Sequence, residues 1–377
     1  MDDLASRRAF LLAAGLGGMA VASDAFAQEV AAPGPTLTAK HKIKFAVIGL
    51  DHYHIMSMTA AIKRGGGECA WVYAYGNDEK QLADFKKQHG DVPVATSIDQ
   101  VLNDKSIQLV AAAPIPDQRV PLGLKVMAAG KDYLADKPGI ISLAQLAQVR
   151  AAVKSTGRKY AIMYSERLEV PSAIKAGELV QAGAIGKVVQ TINIAPHRIG
   201  SPRPDWFFDK ARYGGILTDI GSHQADQFLF YTGSKTAKVV ASQTGNLNNA
   251  AHPKFEDFGD MTVVGDGGTG YVRVDWFTPD GLGVWGDGRL FILGTEGYIE
   301  LRKYVDPTGR PGANHLIVVD QKSARYIDCS QVQLPFGPQF VGDIVERTSV
   351  AQDQTQALLA AELVLTAQKN ATKPKLG

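Results

Sequence analysis

The amino-acid sequence predicts a doubly wound parallel α/β sheet followed by an α+β domain with a largely antiparallel open sheet. Three observations carry this. Short apolar runs alternate with amphipathic stretches between Ile43 and Met163. Beyond Tyr164 the apolar runs lengthen and are joined by tight turns such as "GDGG" and "GTEG". The first run, "KFAVIGL", ends at Gly49 just ahead of an amphipathic stretch, the strand-turn-helix opening of a parallel α/β sheet.

In the first half, strands are expected at 43–48, 69–74, 107–112, 132–135 and 160–163, with helices at 54–64, 78–89, 117–129 and 142–156 between them. This alternation requires parallel strands joined by right-handed crossovers. Helices at 168–182 and 217–231 follow, ended by Gly183 and Gly233 as helix C-termini often are. Strands are expected at 187–195, 237–244, 259–265, 269–277, 289–293, 297–302, 315–319 and 325–328, and helices at 338–348 and 353–368. The boundary falls near residue 163, giving domains 43–163 and 164–377.

Composition narrows the function. With 377 residues, 45% hydrophobic and 21% charged, the chain can build two cores. A net charge of +2 without a dense Lys/Arg run argues against nucleic acid or an acidic membrane and favours a small neutral substrate. Cys69 and Cys329, far apart and in strand-like surroundings, read as buried thiols. At the N-terminus, Arg7 and Arg8 precede the apolar segment Phe10 to Ala22, which ends in Ala25-Phe26-Ala27. This predicts a twin-arginine export signal over 1–27, cleavage near Ala27 and a periplasmic protein. The apolar stretch is short and glycine-rich for a span, so no membrane attachment is expected after cleavage. Residues 28–42 read as an extended arm.

Two constellations carry chemistry. Lys137 in "KDYLADKPGI" follows a short strand, at the carboxyl edge where α/β sheets bind ligands, and a lysine there can hold a substrate hydroxyl. Asp219, His223 and Asp226 in "GGILTDIGSHQADQF" stand at i, i+4 and i+7. On a continuous helix they share a face, and a carboxylate one turn from an imidazole can orient it and stabilise its protonated form. Each segment alone is also compatible with an ordinary turn or a capped helix.

Together these segments resemble the Gfo/Idh/MocA family of nicotinamide-dependent oxidoreductases over about 43–370. "LVAAAPIPDQRVPLGLKVMAAGKDYLADKP" is similar to the family's strand, helix and Glu-Lys-Pro motif, with Asp136 in place of Glu; "ERLEVPSAIKAGELVQAGAIGKV" is similar to its first C-terminal helix and strand. "GGILTDIGSHQADQF" resembles its glycine-led Asp-x-x-x-His helix. The resemblance implies a Rossmann-type first domain, a bound NAD or NADP that is tightly held, and catalytic Lys137, Asp219 and His223. His223 would exchange the hydroxyl proton, Lys137 would position that oxygen, and Asp219 would orient the site. It also implies hydride transfer at a sugar or cyclitol carbon and a homo-oligomer. The export signal and arm resemble the exported glucose-fructose oxidoreductase branch.

Nucleotide contacts are expected from Gly49, Leu50, His52, Tyr53, His54, Pro114, Asp136, Lys137 and Pro138. The loop "GLDHYH" departs from Gly-x-Gly-x-x-Gly: Asp51 and His54 occupy the second and third glycine positions. Ala74 and Tyr75 stand where an acid would bind the ribose, leaving Asn77 or Lys80 to serve a ribose or 2'-phosphate. Asp51, His52 and His54 could ligate metal, but no third strong ligand is near in sequence and a helix N-terminus is partly positive, so no metal is assigned. Substrate contacts are expected from Tyr164, Arg167, His197, Arg198 and Trp206 beside Asp219 and His223, because a ring among charged groups suits a sugar. Trp276 and Trp285 read as part of a dimerising sheet face. Two other readings stay open: bond cleavage or epimerisation through transient oxidation, and a carbohydrate-binding scaffold without redox chemistry.

Overall fold

The computed structural model describes residues 27–32, 34, 37–75, 79–200 and 202–374. The expected export signal lies outside these residues apart from Ala27, and Asn77 lies outside them too. Strand β1 (Ala27–Val30) begins the described chain, so the expected arm opens with a strand. The first sheet follows: β2 (Ile43–Ile48), α1 (His54–Arg64), β3 (Gly67–Tyr73), α2 (Glu79–His89), α3 (Ile98–Asn103), β4 (Ile107–Ala112), α4 (Pro116–Ala128), β5 (Asp132–Asp136), α5 (Leu143–Thr156) and β6 (Tyr160–Met163). Its strand order is β3-β2-β4-β5-β6, all parallel. Apart from Lys44, every residue of β2 is buried, as parallel strands covered by helices on both faces must be.

The chain reverses its direction of travel across the sheet between β2 and β4. Their carboxyl ends therefore part into a crevice, the ligand-binding position of such sheets.

Helix α6 (Ser165–Leu168) and α7 (Pro171–Gln181) replace the single expected helix, because Pro171 starts a new helix at a position where its missing N–H costs nothing. After β7 (Val188–Pro196) come α8 (Lys210–Tyr213), α9 (Ile216–Asp219) and α10 (Gly221–Thr232). The expected Asp-His helix is thus interrupted at Ile220. Strands β8 (Ala237–Gly245), β9 (Phe258–Gly265), β10 (Gly268–Asp275), β11 (Arg289–Gly294), β12 (Tyr298–Arg302), β13 (His315–Val319) and β14 (Ala324–Asp328) complete the second sheet. Its order is β1-β14-β13-β12-β11-β7-β10-β9-β8, antiparallel except for the pairs β1/β14 and β7/β10.

The last helices, α11 (Phe336–Glu346) and α12 (Gln354–Asn370), return to the first domain. Gln352 and Gln354 accept hydrogen bonds from the β6 backbone N–H groups of Ile162 and Tyr160. Helix α12 also lies against α10 and β8, so it ties the two sheets together across the cleft floor. Cys69 and Cys329 are free thiols, and burial pushes both up to about 12.

Candidate active site

The site begins where β5 ends. Asp136 closes the strand with its side chain fully buried, and Lys137 is the first residue beyond it. From the second domain, the Gly214-Gly215 turn leads into α9. Gly215 has φ +96°, and a Cβ there would meet the Gln368 side chain at 2.3 Å. That side chain accepts from the Leu217 N–H, so the glycine lets α12 fix the start of α9. Asp219, the last residue of α9, thereby meets Lys137: Nζ donates to Oδ1 at 2.8 Å, with both side chains nearly buried.

This pairing alters the role read from helical spacing. Burial would push the Asp219 carboxyl up, but the Lys137 charge and hydrogen bond outweigh it and hold the group below its usual value. No hydrogen bond links Asp219 to His223 among the described residues. His223 is the third residue of the separate helix α10, and its Nδ1 is buried without a partner among the described residues. Burial lowers its pKa to about 3; Glu166 opposes that shift, and Lys137 and Lys303 reinforce it. The expected protonated imidazole is corrected to a neutral one with an uncommitted nitrogen.

These three residues line a cavity of about 370 Å³ between the domains. His52, Tyr53, His54, His197 and Trp206 line it too, as the sequence suggested. Tyr164, Arg167 and Arg198 do not. Tyr164 is buried behind the site, donating to the Ala357 carbonyl with its ring edge toward His223. Arg167 forms a two-bond ion pair with buried Asp226 at 2.5 and 3.0 Å, which also takes Asp226 out of the cavity's chemistry. Arg198 bonds the carbonyls of Pro279 and Asp280 on a loop.

Sequence reasoning missed Glu166, Lys303, Arg203 and two tryptophans. Glu166 accepts from Lys303 at 3.2 Å and from Gln224 at 2.8 Å, and His197 Nε2 stands 4.0 Å away. Burial would raise its pKa, but Lys303 and the two imidazoles hold it well below the usual range. Burial lowers His197 to about 4. Trp276 and Trp285 flank His197 inside the cavity, with Arg203 over both rings, so the dimer-face reading of these tryptophans is corrected. Both follow β10 in the chain, and local sequence gave no sign that they meet His197 and Arg203, which are remote along the chain.

The other expected nucleotide contacts form the adjoining crevice. Gly49 has φ +80°, and a Cβ there would lie 2.8 Å from Pro114, so the first glycine of the pattern is required by both turn and packing. Leu50 is buried, and Tyr53 is exposed at the N-cap of α1 without capping it through its side chain. Fully buried Arg119 bonds the carbonyls of Pro114 and Pro138 and Oδ2 of Asp136 at 2.9, 3.1 and 3.0 Å, tying the carboxyl ends of β4 and β5 together. The crevice at the β2/β4 reversal, with Gly49 at its base, fits a dinucleotide. At the second and third glycine positions, side chains replace close backbone approach. At the end of β3, Tyr73 and Tyr75 stack edge to face at 5.4 Å, which offers an aromatic wall. Lys80 is almost fully exposed near Asp84.

This is the architecture of a nicotinamide-dependent oxidoreductase, with a nucleotide crevice and a two-domain polar cleft. Residues 43–164 match the oxidoreductase family's NAD-binding Rossmann fold, and residues 173–300 match the Gfo/Idh/MocA C-terminal domain. A crystal structure from Erwinia carotovora atroseptica SCRI1043 is 49% identical, with a TM-score of 0.85 over 88% of this chain and 99% of that one. The chain belongs to the Gfo/Idh/MocA family, an oxidoreductase family with an NAD-binding Rossmann fold. D-xylose dehydrogenase of Paenarthrobacter nicotinovorans is 23% identical over 154 residues, 39% of each chain. The matched segment spans only 39%, 60% and 50% of the first three curated relatives. Levoglucosan dehydrogenase in complex with NADH and levoglucosan shares the fold at 16% identity and a TM-score of 0.73, covering 88% of this chain and 98% of that one.

Proposed function

We propose that the protein is a periplasmic enzyme that transfers a hydride between tightly held NAD or NADP and a hydroxyl or carbonyl of a carbohydrate or cyclitol. The observation that carries this is the meeting of Lys137 and Asp219, from different domains, in a cleft shared with neutral His223. Such a cleft can hold a polyol: Trp206 and Trp285 offer rings to an apolar sugar face, and Arg203, Glu166 and Lys303 offer charged partners to hydroxyls. The sugar substrates named for the xylose and levoglucosan dehydrogenases support the same class.

A bound nicotinamide would supply the hydride acceptor or donor for this chemistry. In the oxidising direction Lys137, anchored by Asp219, holds the substrate hydroxyl oxygen. His223 accepts the hydroxyl proton as the hydride leaves the carbon, so the alcohol becomes a carbonyl and the proton ends on the imidazole. The reverse direction returns both. Gly49, Leu50, Pro114 and the His52-Tyr53-His54 segment line the nucleotide side, and Asp136 and Pro138 fix Lys137 at its edge.

Exposed Val189, Val240, Val264 and Leu293 on four strands of the second sheet support a homo-oligomer through that sheet. The twin-arginine motif supports export, as in the glucose-fructose oxidoreductase branch. Incubating the enzyme with a panel of aldoses, anhydrosugars and cyclitols, and following NAD(P)H together with the carbonyl product, tests the activity. Failure across the panel in both directions and with both nucleotides overturns it. N-terminal sequencing of the periplasmic fraction tests the export: a mature chain starting near Gln28 is expected, and an uncleaved cytoplasmic chain contradicts it.

A further inference from the structure

The loop that replaces the glycine pattern converges on one carboxylate. His52 Nδ1 lies 3.1 Å from Oδ2 of Asp136, and His54 Nδ1 lies 2.9 Å from Oδ1. One ligand atom from each residue lies within 4.8 Å of the others, drawn from the β2-α1 loop, the first residue of α1 and the end of β5. Sequence reading missed this because Asp136 is remote along the chain and reaches the histidines only through the parallel pairing of β2, β4 and β5.

Four groups converge on the Asp136 carboxylate. A carboxylate offers about four lone-pair positions. Two of these are taken by the Lys137 N–H at 2.8 Å and Arg119 Nη2 at 3.0 Å. The other two face the imidazoles. His52 Nδ1 lies within hydrogen-bond distance of Oδ2, and the His54 backbone N–H approaches the same nitrogen at 3.4 Å. A cation bound there takes the place of the protons shared between the imidazoles and the carboxylate.

We infer that His52, His54 and Asp136 bind one divalent first-row transition-metal ion whose remaining coordination positions open onto the cleft. Two imidazoles and one carboxylate match the donor set that leaves such ions open positions, whereas calcium and magnesium take mostly oxygens. Arg119 and the Lys137 N–H hold the carboxylate's orientation as outer partners of a metal ligand do. The His52 ring stands 6.5 Å from the Trp206 ring and faces the cleft occupied by Lys137 and Asp219, so an oxygen of the cleft's guest completes the ion's shell. The inference stands apart from the sugar-oxidation reading: metal binding is measured without turnover.

The test uses the full mature chain, stripped with chelator, reloaded with Zn(II), gel-filtered and analysed by elemental mass spectrometry. One zinc per chain is expected, and Co(II) in its place gives a visible ligand-field spectrum. His52→Ala and His54→Ala each weaken Co(II) binding by at least ~10–100-fold while circular dichroism stays native. A wild type that retains no zinc overturns the inference, as does zinc retained equally by both variants. If a variant does not fold, imidazole NMR of the wild type decides: Zn(II) must shift two ring systems stoichiometrically, and unmoved rings contradict the site.

Discussion

Lys137 Nζ and Asp219 Oδ1 meet at 2.8 Å across the boundary between a parallel sheet and an antiparallel one. Neither charge would be tolerated alone at this depth, because an unpaired buried ion costs several kcal/mol. The pair is therefore both a clamp between domains and a way of holding an ammonium group at the cleft. Lys137→Met is expected to lower kcat/KM by about 10²–10⁴-fold. Steady-state kinetics on the substrate found in the sugar panel checks this, and a loss below threefold contradicts the role.

His223 is buried, neutral and unpaired at Nδ1. His223→Ala is expected to lower turnover about 10²–10⁴-fold, with nucleotide affinity within a few-fold of wild type. Single-turnover hydride transfer and nucleotide titration separate the two effects. An unchanged rate removes His223 from the chemistry.

Acid stability follows from the same burial. Burial lowers His223 from 6.5 to about 3 and His197 from 6.5 to about 4. Between those values and 6.5 the unfolded chain binds protons that the folded chain excludes, so stability rises with pH through this window. It is complete above about pH 6.5 and falls as pH drops toward 4. Melts at stepwise lower pH should show Tm falling before the carboxylates titrate, and His197→Gln should flatten that fall. A Tm independent of pH across the window contradicts the assignment.

Arg167 and Asp226 form a buried pair away from the cleft. Arg167→Met leaves a buried carboxylate unpaired and is expected to cost about 3–5 kcal/mol of stability. KM for substrate should stay near wild type at a temperature where the variant is folded. A large KM rise with unchanged stability would return Arg167 to the substrate site.

Gly49 sits at φ +80° against Pro114. Gly49→Ala is expected to cost about 1–3 kcal/mol from backbone strain and to weaken nucleotide binding as the loop shifts. Denaturant melts and nucleotide titration check both, and wild-type values in each contradict the crevice assignment.

Periodicity made most of the fold legible. The strands 43–48, 107–112 and 160–163 coincide with β2, β4 and β6, because a fully buried parallel strand is a plain apolar run between turn residues. Helix breaks were less legible: Asp219 and His223 keep helical spacing although the backbone is divided at Ile220. Lys137, Asp219 and His223 were named together from motif order, and they line one cavity. Partners defined only by tertiary contact were not: Asp226 faces Arg167 and not the cavity, and Glu166 is placed by Lys303, which lies 137 residues away. The convergence of His52 and His54 on Asp136 belongs to the same class, fixed by sheet order and silent in local sequence.

The most direct test of the central claim is acid release of small molecules from the purified full-length protein, identified by mass spectrometry, with NAD and NADP titrations of the mature chain. The account predicts a nicotinamide dinucleotide released from the protein or bound in titration, with the Gly-Leu-Asp-His-Tyr-His loop as a rebuilt nucleotide turn. No released nucleotide, and no binding of either dinucleotide up to millimolar concentration, would contradict it.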